Sequence, residues 1–114
     1  MADKYNLGVV HQGISKTVLY DGGNITSAGT YALSDCVYNY TLIIVEHVYA
    51  GDGSDKYRQS NVIINICNND RAYMVCHGNS SGINHTWFHF SVDGNNVITD
   101  EVSGEHITKI VGIN

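Results

Sequence analysis

The longest apolar run of the chain is Tyr38–Tyr49, YNYTLIIVEHVY, in which Leu42, Ile43, Ile44 and Val45 are consecutive. A continuous run rich in β-branched and aromatic residues predicts a strand covered on both faces. It falls far short of the ~20 apolar residues that span a bilayer. Around it the pattern alternates. Ser15–Tyr20 reads as a strand that stops at Asp21-Gly22-Gly23-Asn24, where glycine and asparagine supply the positive φ of tight turns. Thr30–Leu33 reads as a short strand and Ser34-Asp35 as a turn.

Beyond the central run, Ala50–Asp55 forms a polar loop with two glycines. Asn61–Cys67 places Val62, Ile64 and Ile66 on one face, and Arg71–His77 alternates Tyr73, Val75 and His77 against Ala72, Met74 and Cys76. With Asn68-Asn69-Asp70 between them, these two strands read as a hairpin. His85–Val92 sets Thr86, Phe88, Phe90 and Val92 against His85, Trp87, His89 and Ser91. Asp93-Gly94-Asn95 turns it into Asn96–Val102, and Ser103-Gly104-Glu105 turns again into His106–Asn114.

Short strands, closely spaced turns and no helical period predict an all-β antiparallel fold, a sandwich or a barrel. With 114 residues and no repeat, the chain fits one domain that needs no metal or disulfide staple. Its polarity comes from Asn, Ser, Thr, Gly and eight tyrosines, since charged residues make up only 15%. A formal net charge of −5 with six scattered basic residues argues against nucleic acid as a partner. The absence of a basic amphipathic or long apolar stretch argues against membrane attachment or insertion. The start MADKYNLGVV has no signal-peptide core, so cytoplasmic synthesis is expected. Cys36, Cys67 and Cys76 read as free thiols, with a Cys67–Cys76 bridge as the alternative.

Candidate chemistry is thin. His85 and His89 have the spacing of a helical metal pair, but on a strand they lie roughly 13 Å apart, too far for one ion. No metal and no cofactor is expected. Asp52-Gly53-Ser54-Asp55 lacks the spacing of a calcium loop and reads as a hairpin tip. No nucleophile–base set is legible: Cys76 and His77 point to opposite faces of a strand. Glu46, the acid inside the central run, is expected where that strand leaves the core. The residues therefore favour a non-enzymatic binding role. Tyr, Asn, Asp and Gly in the loops suit recognition of sugars or proteins. The candidate ligand residues lie in 49–58 and 77–87: Tyr49, Asp52, Asp55, Tyr57, Arg58, Asn79, His85 and Trp87.

Three segments carry a family resemblance. They are Lys16-Thr17-Val18-Leu19-Tyr20, then Tyr31-Ala32-Leu33-Ser34-Asp35-Cys36-Val37-Tyr38-Asn39-Tyr40, and the terminal Ile107-Thr108-Lys109-Ile110-Val111-Gly112-Ile113-Asn114. Their order resembles the C-terminal receptor-binding tip domains of bacteriophage tail fibres. Those domains show a "TLWSG" strand, an "LSDSIxNYDxLxI" stretch and a terminal "IxKIYGIK". Val111 stands where Tyr is usual, Asn114 where Lys is usual, and Cys36 in place of a small polar residue. The resemblance covers residues 16–114 and implies a jelly-roll-like β-sandwich that forms a homotrimer at the virion tail. Residues 1–15 would join an upstream fibre shaft. The implied partner is a bacterial surface glycan or protein, and no catalytic residue is transferred. Alternatives are a stand-alone jelly-roll lectin domain and a small glycan hydrolase.

Overall fold

The computed structural model describes residues 15–50, 57–64, 72–78 and 85–114. Eight strands form two four-stranded antiparallel sheets. They are β1 (Lys16–Tyr20), β2 (Gly29–Ala32), β3 (Leu42–Tyr49), β4 (Arg58–Ile64), β5 (Ala72–Gly78), β6 (His85–Val92), β7 (Asn96–Ser103) and β8 (Glu105–Ile113). The first sheet has the order β1-β8-β3-β4 and the second β2-β7-β6-β5. Their inner faces meet as a β-sandwich: Leu19, Ile43, Val45, Ile107 and Ile110 from the first pack with Val75, Phe88, Phe90, Val92 and Val97 from the second. Alternation decides who goes in, as β6 shows: Thr86, Phe88, Phe90 and Val92 are buried, while Trp87, His89 and Ser91 are half-buried on the other side.

The central run is a strand, with two differences from the expectation. It begins at Leu42, because Val37–Asn39 forms a 3₁₀ turn. It is also covered fully on one face only, since Leu42 and Ile44 remain half-buried on the outside. Asp35 organises the turn: its Oδ1 accepts from the Cys36 amide (2.8 Å) and Asn39 Nδ2 (3.2 Å), and its Oδ2 accepts from the Tyr40 hydroxyl (2.7 Å). These donors, Tyr40 first, hold the Asp35 carboxyl below its ordinary range.

The expected hairpin between the fourth and fifth strands does not form. β4 pairs with β3 in the first sheet and β5 with β6 in the second, so the two strands belong to different sheets. Polar turn residues are equally suited to either connection, and the alternation within each strand does not name its neighbour. The β6–β7 hairpin forms as expected at Asp93-Gly94-Asn95, with Gly94 at φ 80°. Ser103–Glu105 instead carries the chain from the second sheet to the first through Gly104, at φ 71°.

Candidate functional site

A buried polar cluster lies between the sheets, built from five strands. β3 supplies His47, β4 Asn61, β5 His77, β6 Thr86 and β8 Glu105. His77 and Thr86 are direct cross-strand partners and both face inward, continuing the faces of Val75 and Phe88. Glu105 needs a different explanation. It lies five positions from the buried Ile110, so in a regular strand the two side chains would point to opposite faces. The register of β8 against β3 steps from Glu46↔Lys109 to His47↔Ile107, leaving Thr108 as an extra residue. This β-bulge reverses the phase, so Glu105, Ile107 and Ile110 all turn into the core.

Glu105 and His47 are completely buried, and His77 keeps a small exposed edge. Glu105 Oε1 accepts from the Thr86 hydroxyl at 2.6 Å. Its Oε2 accepts from Nδ1 of His77 at 2.5 Å and also from Nδ1 of His47. The second ring nitrogen of His47, Nε2, donates to Asn61 Oδ1 at 2.6 Å. Two oxygens thus face the two nitrogens of His47. The imidazoles lie edge to face with centroids 5.2 Å apart, and the Tyr49 ring lies 6.4 Å from that of His77. Three donors reach the two oxygens of this carboxylate, and that offsets the cost of burying it.

His47, His77 and Glu105 are also a group able to hold a metal ion, their ligand atoms all lying within 4.8 Å of one another. The sequence sets Glu105 in a turn and Glu46 at the point where the central strand leaves the core, but that strand runs on to Tyr49 with His47 and Val48 buried. Glu46 is instead a partly exposed residue on the outer face, where its Oε1 accepts from Thr108 Oγ1 (2.7 Å) and Arg58 Nη1 (2.5 Å). Those contacts, Thr108 first and then Arg58 and Lys109, lower its carboxyl below the ordinary value. The inward phase of His77 and Thr86 was legible from alternation; the bulge that brings Glu105 to them was not.

The other anticipated residues fall in separate places. Tyr49 and Tyr57 meet edge to face at 5.9 Å beside the cluster, with Tyr57 largely exposed. Arg58 opens β4 and is held by Glu46 and Thr108. Trp87 lies on the outer face of the second sheet, its Nε1 donating to Glu101 Oε1 at 3.0 Å. His89, on the same face, approaches Glu101 Oε2 (3.2 Å) and Met74 Sδ (3.1 Å). A depression of about 360 Å³ opens there among Met74, His89, Ser91, Ile98 and Asp100. His85 begins β6 opposite Gly78, while Asp52, Asp55 and Asn79 lie outside the described residues. Cys36 and Cys76 are free thiols, and Cys67 lies outside the described residues.

The outer face of the first sheet carries an apolar row. Val18, Val111, Ile44 and Val62 are successive cross-strand partners and form one row over all four strands. Val18 is 41% and Val62 60% exposed. Ile113 and Leu42 form part of the adjacent row, next to Lys16. No protein-family model and no curated protein matches the chain.

Proposed function

We propose that this chain is a non-enzymatic receptor-binding tip domain of a bacteriophage tail fibre, working as a homotrimer at the virion tail. The observation that carries the reading is the Val18–Val111–Ile44–Val62 row, an apolar stripe crossing an entire sheet on the side away from the core. Contiguous exposed apolar surface of this kind marks an interface. Its occupant is a further copy of this chain. The charges bordering the row include Lys16 and Lys109, while Glu46 is neutralised by Arg58, so the face is locally basic in a chain of formal net charge −5. One acidic copy meets another there without the repulsion it would find elsewhere.

The opposite side of the sandwich suits a receptor. Trp87, His89, Asp100 and Glu101 bring an aromatic face and polar groups beside a shallow depression. Indole with flanking hydrogen-bonding groups recognises sugars or a polar protein surface. Pairing of β1 with β8 and β2 with β7, the first strand with the last and the second with the next to last, is shared with a jelly roll, from which β4 beside β3 and β6 beside β7 depart. The three segments that resemble tail-fibre tips supply the biological setting, with a bacterial surface glycan or protein as partner and a fibre shaft upstream.

Light scattering coupled to size exclusion, followed by binding of the labelled protein to whole bacteria, tests the proposal. A trimer that decorates cells is expected. A strict monomer at micromolar concentration removes the fibre-tip reading and leaves a stand-alone carbohydrate-binding domain.

A further inference from the structure

We propose that His47, His77 and Glu105 bind one divalent transition-metal ion of the zinc class, which ties the two sheets of the sandwich together. Two imidazole nitrogens and one carboxylate oxygen form a borderline donor set, suited to Zn²⁺, Co²⁺ or Ni²⁺ and poorly suited to Mg²⁺ or Ca²⁺. All three atoms lie within 4.8 Å of one another. Around an ion with ligand bonds of about 2.0–2.1 Å, neighbouring ligand atoms stand about 3.0–3.4 Å apart. Glu105 Oε2 is 2.5 Å from His77 Nδ1, so admitting the ion takes a retreat of the carboxylate by less than about 1 Å and a closing of the two imidazole nitrogens to the same spacing.

The surroundings already prepare the ligands. Asn61 Oδ1 accepts from His47 Nε2, leaving Nδ1 as the nitrogen that faces Glu105 and an incoming ion. A histidine ligand whose other nitrogen donates to a fixed oxygen is the usual support of a metal site. Thr86 occupies Oε1 of Glu105 and leaves Oε2 to bind through one oxygen. The bound ion takes the place of the hydrogens that now hold both Nδ1 atoms to Oε2. His47 and Glu105 come from the first sheet and His77 from the second, so the ion cross-links the sandwich. Of the three ligands only His77 keeps an exposed edge.

The test uses the whole chain, stripped with a chelator and titrated with Zn²⁺ and Co²⁺ by calorimetry, with Co²⁺ also followed by its visible absorption. One ion per chain is expected, and at a hundredfold excess over Kd the Tm should rise by about 10 °C. Mg²⁺ should leave Tm unchanged. His77→Gln alters the ligand with the exposed edge and should weaken binding at least about 100-fold, and Asn61→Ala, which removes the carboxamide that supports His47, about 10- to 100-fold. His89→Ala, on the outer face of the second sheet, should bind as the wild type does. Circular dichroism of each variant separates lost binding from lost fold. The proposal is overturned if the wild type takes up no stoichiometric ion, or if folded His77→Gln and Glu105→Gln bind with wild-type affinity. It is equally overturned if His89→Ala abolishes uptake. None of these outcomes bears on trimer formation or cell binding.

Discussion

The ring of Tyr40 lies directly over Gly112, so close that a Cβ on Gly112 would come within 2.5 Å of the ring. Two distant segments of the chain meet here: the stretch from Leu33 to Tyr40 ends on the glycine of the terminal Ile-Val-Gly-Ile-Asn. Tyr40 is fixed from the other side by its bond to Asp35 Oδ2. The ring therefore has no room to retreat. Gly112→Ala should destabilise the protein by about 1–3 kcal/mol, the cost of overpacking a closed contact. Urea unfolding measures this. The pair Tyr40→Ala/Gly112→Ala should lose less than the sum of the two single changes, because the clash disappears with the ring.

Much of this architecture was legible from the sequence. The turn at Asp93-Gly94-Asn95, the inward face of Phe88, Phe90 and Val92, and the all-β class follow from local chemistry and a period of two. Pairing was less legible. The partners of β4 and β5 depend on which sheet each joins, and Val62 or Met74 carries no mark of its sheet. The buried cluster was hidden for a related reason. A bulge is a register fact shared by two strands, and Thr108 looks like any strand threonine until β3 is laid beside it. That single step sends Glu105 inward, whereas Glu46, in the more apolar sequence, faces outward by the plain alternation of β3.

Acid should weaken the fold through Asp35 and Glu46. Both carboxyls are held below their ordinary values of 3.8 and 4.5, Asp35 chiefly by Tyr40 and Glu46 chiefly by Thr108. As pH falls, the unfolded chain takes up protons before the folded chain does. The stabilisation is therefore complete above about pH 5 and is withdrawn as pH drops through the lowered folded values. Denaturation followed between pH 6 and 3 should show the wild type losing stability faster than Asp35→Asn. The two curves should converge at the acid end. Parallel curves would mean that the Tyr40–Asp35 bond does not depend on the charge.

Removing the acid at the centre of the sandwich should be far more costly. Glu105→Ala leaves Thr86 Oγ1 and Nδ1 of both His47 and His77 without the acceptor they share, in a largely buried site. Breaking one side of such a buried arrangement costs about 3–5 kcal/mol. Glu105→Gln keeps an acceptor oxygen and the volume, and should lose less. The order of the two in thermal unfolding without added metal checks the account, and equal losses would contradict it.

The apolar row on the first sheet gives a separate expectation for assembly. Val18→Asp and Val62→Asp place charges at its two ends, at positions already open to solvent in the single chain. Neither should disturb the isolated fold by more than about 0.5 kcal/mol, since exposed positions tolerate such changes. Each should shift the oligomer toward monomer in light scattering at micromolar concentration, and the double variant should be monomeric throughout. If the double variant assembles as the wild type does, the interface lies elsewhere on the domain.

Cell binding then distinguishes the two surfaces that carry the candidate recognition residues. Tyr57 and Arg58 stand at the start of β4, in the first sheet, whereas Trp87 and His89 project from the outer face of the second. Tyr57→Ala/Arg58→Ala and Trp87→Ala/His89→Ala therefore test two different sites. The second pair should cost more, because it removes an indole and an imidazole that Glu101 holds in place beside the depression, and pre-positioned aromatic groups bind with less loss of freedom. A loss of at least about tenfold in binding to whole bacteria, equivalent to 1.4 kcal/mol, with the trimer intact, is expected for Trp87→Ala/His89→Ala. If Tyr57→Ala/Arg58→Ala alone produces that loss, the receptor sits at the edge beside Tyr49, and the outer face of the second sheet has no part in recognition.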